Sequence, residues 1–337
     1  MLGRLSPARL LVGGFVLLAI VAAMLWLVPS NDYIFLPDRA RPVEPLVHVQ
    51  GERPSSRAGG IYLVDVLVRR ANLLERLVSS IRSGSTLVPE SAITPPGVTQ
   101  QQRRQADARA MERSQEIGAA VALRALGYRV AAVPAGALVT AVLSDTPAVG
   151  KLRPGDVVVA VNGERVRSPL ALRRVMRGRR PGDRVQLAVR REGTVRRVDV
   201  STVADPETPD RAIIGIVVDQ AATIRLPVRV RIETGDIGGP SAGLAFALDI
   251  VSELGRNVTH GRRVAATGQL DIGGSVLPVG GLKQKTIGAR ETGVDVLVVP
   301  AGENAAVARR YADGLTVLAV RSFRQALRAL TTRRRAG

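Results

Sequence analysis

The stretch Gly235-Asp-Ile-Gly-Gly-Pro-Ser-Ala-Gly-Leu-Ala-Phe-Ala-Leu248 decides how the carboxyl-terminal half is read. Gly238 and Gly239 allow a tight turn, and Pro240 suits a first helical turn, where its missing N–H has no intrahelical partner to lose. Leu244, Leu248 and Val251 then recur at helical spacing. Ser241 therefore stands at a helix amino terminus, where free amides and the helix dipole favour an oxyanion developing on an attacked carbonyl. Serine is also a common helix-start residue, so this stretch alone leaves a structural and a nucleophilic role open.

A second stretch, Thr267-Gly-Gln-Leu-Asp-Ile-Gly-Gly-Ser-Val-Leu-Pro-Val-Gly-Gly-Leu-Lys-Gln-Lys285, sets two lysines among glycines and apolar residues. Of the 48 basic residues only Lys151, Lys283 and Lys285 are lysine. Arginine keeps its proton in proteins whereas lysine can lose it, so lysine is retained where neutral amine chemistry is wanted. Lowering a lysine pKa from about 10.4 to near 7 takes about 4–5 kcal/mol against the charged form, and a dry pocket supplies that. Val276, Leu277, Val279 and Leu282 point to such a pocket.

Together the two stretches resemble the proteolytic domain of the Lon family over residues 213–330. The resemblance implies a serine–lysine dyad, with Ser241 in Gly-Pro-Ser-Ala-Gly as nucleophile and Lys285, the second lysine of Gly-Gly-Leu-Lys-Gln-Lys, as base. Gly239, Pro240 and Ala242 are the expected backbone support, and Thr267 the expected hydrogen-bonding partner. Full-length Lon proteins usually carry an acid where Gly238 stands; Asp236 is the neighbouring acid here. They also carry an ATPase, but the only Gly-Lys pair in this chain is Gly150-Lys151, followed by Leu152, so there is no phosphate loop of that type. Cleavage is expected to need neither ATP, cofactor nor metal. His48 and His260 lie in no motif with an acid and a nucleophile, which leaves a Ser-His-Asp triad unsupported.

Around these motifs the pattern alternates. Strands are expected at residues 213–218, 227–232, 264–268, 296–300 and 315–320, and helices at 241–254, 285–292, 304–312 and 322–330, an α/β domain over 210–332. Upstream, short β runs at 137–143, 156–161, 184–190 and 195–200 enclose a helix capped by Ser168 and carrying Leu172, Val175 and Met176. The segments 136–147 and 152–163 resemble PDZ domains, with the domain placed at 127–204. That resemblance implies a groove in which a peptide carboxyl terminus adds as a strand, with Gly127-Tyr128 the candidate carboxylate loop.

Farther out, residues 60–68 read as a strand, 71–81 as a helix, 89–98 as a Pro-rich loop and 104–126 as an amphipathic helix ending at Gly127. Residues 31–126 are expected as a stalk with this helix. Residues 10–28 carry no charge and are long enough for a transmembrane helix, with Arg4 and Arg9 before it favouring a cytoplasmic amino terminus and an extracytoplasmic catalytic domain. A signal peptide cleaved near Ala19, Ala22 and Ala23 is the rival reading.

The 337 residues, 46% apolar, suffice for two cores, and the absence of cysteine excludes disulfides and thiolate chemistry. A net charge of +19 is scattered, and aromatic residues are only 3%, so no nucleic-acid partner is expected. The whole reads as an α+β multidomain protein: an anchor at 1–30, the stalk, a small β-rich PDZ domain and the protease. The order resembles that of membrane-anchored, PDZ-containing Lon-like proteases. The implied function is ATP-independent endopeptidase, with protein or peptide substrates held by their carboxyl termini and homo-oligomers as possible assemblies. The alternative is a catalytically silent PDZ adaptor at the membrane.

Overall fold

The computed structural model describes residues 7–51, 59–78, 84–93, 100–205, 210–235 and 237–332. Asp236 and the end of the expected Pro-rich loop, 94–98, lie outside these.

The sheet that positions the chemistry has five strands in the order Arg41–Pro42, Gly60–Leu63, Arg263–Ala266, Val296–Pro300 and Thr316–Val320, parallel apart from the first. Strand alternation divides its residues between two cores. Val264, Ala266, Val296 and Val298 pack with Leu244 and Phe246 of the helix Gly243–Glu253 and with Ile117 and Ala120 of the long helix Gln100–Ala125. Ala265, Leu297 and Val299 pack on the other side with Leu282 and Ala289 of the helix Leu282–Thr292, and with Ala305 and Ala308 of Glu303–Tyr311. Both faces are covered, which is why Val296–Pro300 is an unbroken apolar run, buried throughout.

The segment read as a stalk is part of this architecture. Gly60–Leu63 is a strand of the main sheet, and Val47–Val49 pairs with Val230–Ile232. Val66–Asn72, Pro29–Pro37 and Thr86–Pro89 form a three-stranded antiparallel sheet. The expected helix at 71–81 shrinks to Leu73–Leu77, because the strand Val66–Asn72 extends into it and Asn72 caps the shortened helix.

A second antiparallel sheet, in the order Thr194–Ser201, Arg184–Arg191, Val157–Val161, Ala131–Val142 and Ile216–Arg225, packs on the helix Pro169–Met176 around Val158, Leu187 and Leu172. Ser168 caps that helix as expected, accepting from the Ala171 amide at 3.1 Å. The strand expected at 213–218 runs instead over Ile216–Arg225 and joins this sheet, so one strand belongs to both halves of the chain.

At the amino terminus the helix is Pro7–Leu27, with Leu11, Phe15 and Leu18 exposed. The expected 10–28 stretch overruns it, since Pro29 already opens a strand. Among the described residues no helix is long and apolar enough to cross a membrane. This overturns the expected transmembrane anchor, and with it the single-pass placement; nothing supports the membrane as a partner.

Candidate active site

Ser241 lies in the turn Pro240–Ala242 that leads into Gly243–Glu253. Gly239 enters the turn at φ +86°, a conformation open to glycine and strained for other residues. The Gly239 amide donates to the Asp107 carbonyl at 3.0 Å, and Ser114 Oγ donates to the Pro240 carbonyl at 2.9 Å, so the long helix holds the turn from behind. With Gly239 engaged and Pro240 lacking an N–H, the Ser241 amide is the first donor of the turn without an intrahelical partner. Ala242 is buried beneath it.

The strand Arg263–Ala266 delivers Thr267 beside this turn. The Ser241 carbonyl accepts from the Gly268 amide at 2.8 Å and from Thr267 Oγ1 at 3.3 Å, and the Leu244 amide donates to the Gly268 carbonyl at 3.1 Å. The helix Leu282–Thr292 starts three residues earlier than expected, after Gly281 in the left-handed region, and brings Lys285 in its first turn. Lys285 Nζ lies 2.9 Å from Ser241 Oγ and 3.3 Å from Thr267 Oγ1.

Lys285 is 4% exposed. Burial pushes its pKa down to about 8, against the opposing pull of the Asp65 carboxylate. Lys283 is elsewhere: its Nζ donates to the Ser85 carbonyl at 2.8 Å and lies over the Tyr311 ring. Gln284 donates to the Gly84 carbonyl and Thr86 Oγ1, and Thr292 Oγ1 accepts from the Ala40 amide. A Cβ at Gly288 would fall 1.8 Å from the Asp38 carbonyl oxygen, so the amino-terminal sheet rests directly on the helix that bears the lysine.

Sequence reasoning missed Asp65 and Asp107. Asp65 had a signal, as the lone acid inside the apolar run 60–68. Asp107 had none, being one polar residue of an amphipathic helix. Where the resemblance expects an acid, a Cβ on Gly238 would come 3.1 Å from the Asp107 Cβ, so Asp107 fills the space a side chain there would take. Burial raises the Asp107 pKa, with Arg103 pulling the other way. His48 lies in the strand Val47–Val49 opposite Arg231, and the His260 amide donates to Asn257 Oδ1. Among the described residues no group of three or more His, Cys, Asp or Glu forms a metal cluster.

Residues 217–332 match the Lon protease (S16) C-terminal proteolytic domain, and residues 124–202 match the PDZ domain. The chain is similar to Lon protease 2 of Hydrogenovibrio crunogenus, 38% identical over 97 residues, which is 29% of this chain and 10% of that protein. It is similar to Lon protease 2 of Bacillus subtilis, 34% identical over 91 residues, 27% of this chain and 16% of the relative. The chain thus spans a small fraction of the length of these relatives. Among solved structures, the PDZ domain of the SdrC-like protein of Listeria monocytogenes matches at 24% identity and a TM-score of 0.23, covering 25% of this chain and 87% of that one. The chain therefore carries a Lon-type serine protease domain together with a PDZ domain.

Proposed function

We propose that the protein is an ATP-independent serine endopeptidase in which Ser241 is the nucleophile and Lys285 the general base, with the PDZ domain presenting protein substrates. The observation that carries this reading is the buried Lys285 Nζ at 2.9 Å from Ser241 Oγ.

The neutral amine takes the Ser241 proton as Oγ attacks a peptide carbonyl. The Ser241 amide, at the positive end of the helix dipole, receives the oxyanion. The resulting ammonium gives its proton to the departing amine, and water then attacks the acyl-serine with Lys285 again as base. Thr267 Oγ1 accepts from Lys285 Nζ while donating to the Ser241 carbonyl, which keeps the amine aimed at Oγ. A lysine already lowered to about 8 needs little further change to work as a base near neutral pH.

The test is incubation of the chain with an unfolded protein, beside Ser241→Ala and Lys285→Ala. Cleavage by the wild type and by neither variant is the expected result. Equal cleavage by all three, or none by the wild type, overturns the reading and leaves the adaptor.

A further inference from the structure

A PDZ domain takes a peptide by strand addition only where a sheet edge is free. Here Ile216–Arg225 runs antiparallel along the whole of Ala131–Val142, from Arg225 opposite Ala131 to Ile216 opposite Val142. The helix Pro169–Met176 packs on both strands. Gln220, 1% exposed, fastens the arrangement by donating to the Arg167 carbonyl at 2.9 Å and the Gly136 carbonyl at 3.3 Å. The outer edge is occupied by the chain itself.

The other side of the same strand is open for half its length. Its pairing with Val157–Val161 covers Ala137 opposite Val158 and Leu138 opposite Val157, and the strands part at the Ala131 end. Over this parting lies a cavity of about 760 Å³, walled by Val133, Pro134 and Val159, rimmed by Arg165, Arg167 and Arg190, and reached by Thr223 of the outer strand. Arg190 reaches across it to the Ala135 carbonyl at 3.4 Å, so backbone of this strand faces the opening. None of the described residues lining it is acidic or aromatic. Glu164 is next to Arg165, but neighbours on a strand point to opposite faces, and it is not part of the lining. Among the described residues no carboxylate pairs with Arg165 or Arg167.

We propose that this arginine-rimmed cavity, rather than the occupied outer edge, is where the PDZ domain holds a partner, and that the partner is an acidic segment of an extended polypeptide. Guanidinium groups donate to carboxylates bidentately, and apolar walls between them suit a strand whose side chains alternate between acidic and apolar. A small inorganic anion would leave those walls unused. A nucleic acid would find no aromatic ring to stack on. The proposal rests on the substrate-presenting role proposed for the PDZ domain and deepens it, and the two fail separately: loss of peptide binding with Ser241-dependent hydrolysis intact removes only this one.

The experiment is fluorescence anisotropy on the full chain with a labelled peptide alternating Val and Glu, the same peptide with Gln for Glu, and amidated forms of both. Binding of the Glu peptide, amidated or not, is expected, with affinity about tenfold or more lower in Arg165→Ala/Arg167→Ala and in high salt. The pair Arg196→Ala/Arg197→Ala, both exposed on the edge strand Thr194–Ser201, is expected to bind as the wild type does. Unchanged melting of both double variants shows that they fold. Equal binding of the Gln peptide, dependence on a free carboxyl terminus, no effect of the Arg165/Arg167 pair, or tighter binding of single-stranded DNA each overturns the proposal.

Discussion

The parallel sheet around Val296–Pro300 and the antiparallel sheet around Arg184–Arg191 both use short, Val-rich strands, yet they meet water differently. Val296–Pro300 is buried at every position, whereas Arg184–Arg191 alternates buried Val185, Leu187 and Val189 with exposed or half-buried residues, all polar but Ala188. A strand covered on both faces has no place for a charge along its length, so its chemistry gathers at its ends: Thr267 comes directly after Arg263–Ala266. A strand covered on one face carries charge outward and becomes a surface. In one chain the first arrangement holds the candidate site fixed, and the second offers arginines to the proposed partner.

The sharpest way to break that division is at the proposed dyad. Ser241→Ala and Lys285→Ala are each expected to lower hydrolysis of an unfolded protein by about 10³-fold or more, at unchanged circular dichroism. The packing beneath the site comes next. Phe246, fully buried against the parallel sheet, is expected to cost about 3–5 kcal/mol on replacement by Ala, read from urea unfolding.

Lys285 supplies two smaller tests. Because its base form is the active one, hydrolysis is expected to rise about tenfold per pH unit below its pKa of about 8 and to level off above it. The same depressed pKa weakens the fold. Below about 8 the native state holds a buried ammonium that the unfolded chain hydrates, a burden that fades as the pH climbs from about 8 toward 10.5. Lys285→Met is therefore expected to gain about 1–3 kcal/mol near neutral pH, with the gain shrinking in alkali, as measured by unfolding across pH. The smallest effect belongs to the exposed edge strand: Arg196→Ala/Arg197→Ala is expected to change stability by no more than about 0.5 kcal/mol.

The parts legible in the sequence are those whose signal is local. Gly238 to Pro240 announce a turn before a helix, Ser168 announces a cap, and Val296–Pro300 lies where its apolar run puts it. Lys283 and Lys285 look alike in composition, and only the resemblance separated them; the helix that begins at Leu282 sends one to the Ser85 carbonyl and the other to Ser241. Partnership between distant strands left no mark. Nothing in Gly60–Leu63 names Arg263–Ala266 as its neighbour, and nothing in Ile216–Arg225 says that it pairs upstream with Ala131–Val142.

The pairing of Gly60–Leu63 with Arg263–Ala266 also orders events during synthesis. About two hundred residues separate the two strands, so the ring they close is long, and its closure waits until the later strand has left the ribosome. The PDZ sheet waits too, since its outer strand comes after the rest of it in the chain. A chain that ends before residue 241 therefore has Asp65 and the sheet that bears on the helix of Lys285 but neither Ser241 nor Lys285. The proposed pair of Ser241 and Lys285 therefore cannot meet until synthesis has passed residue 285.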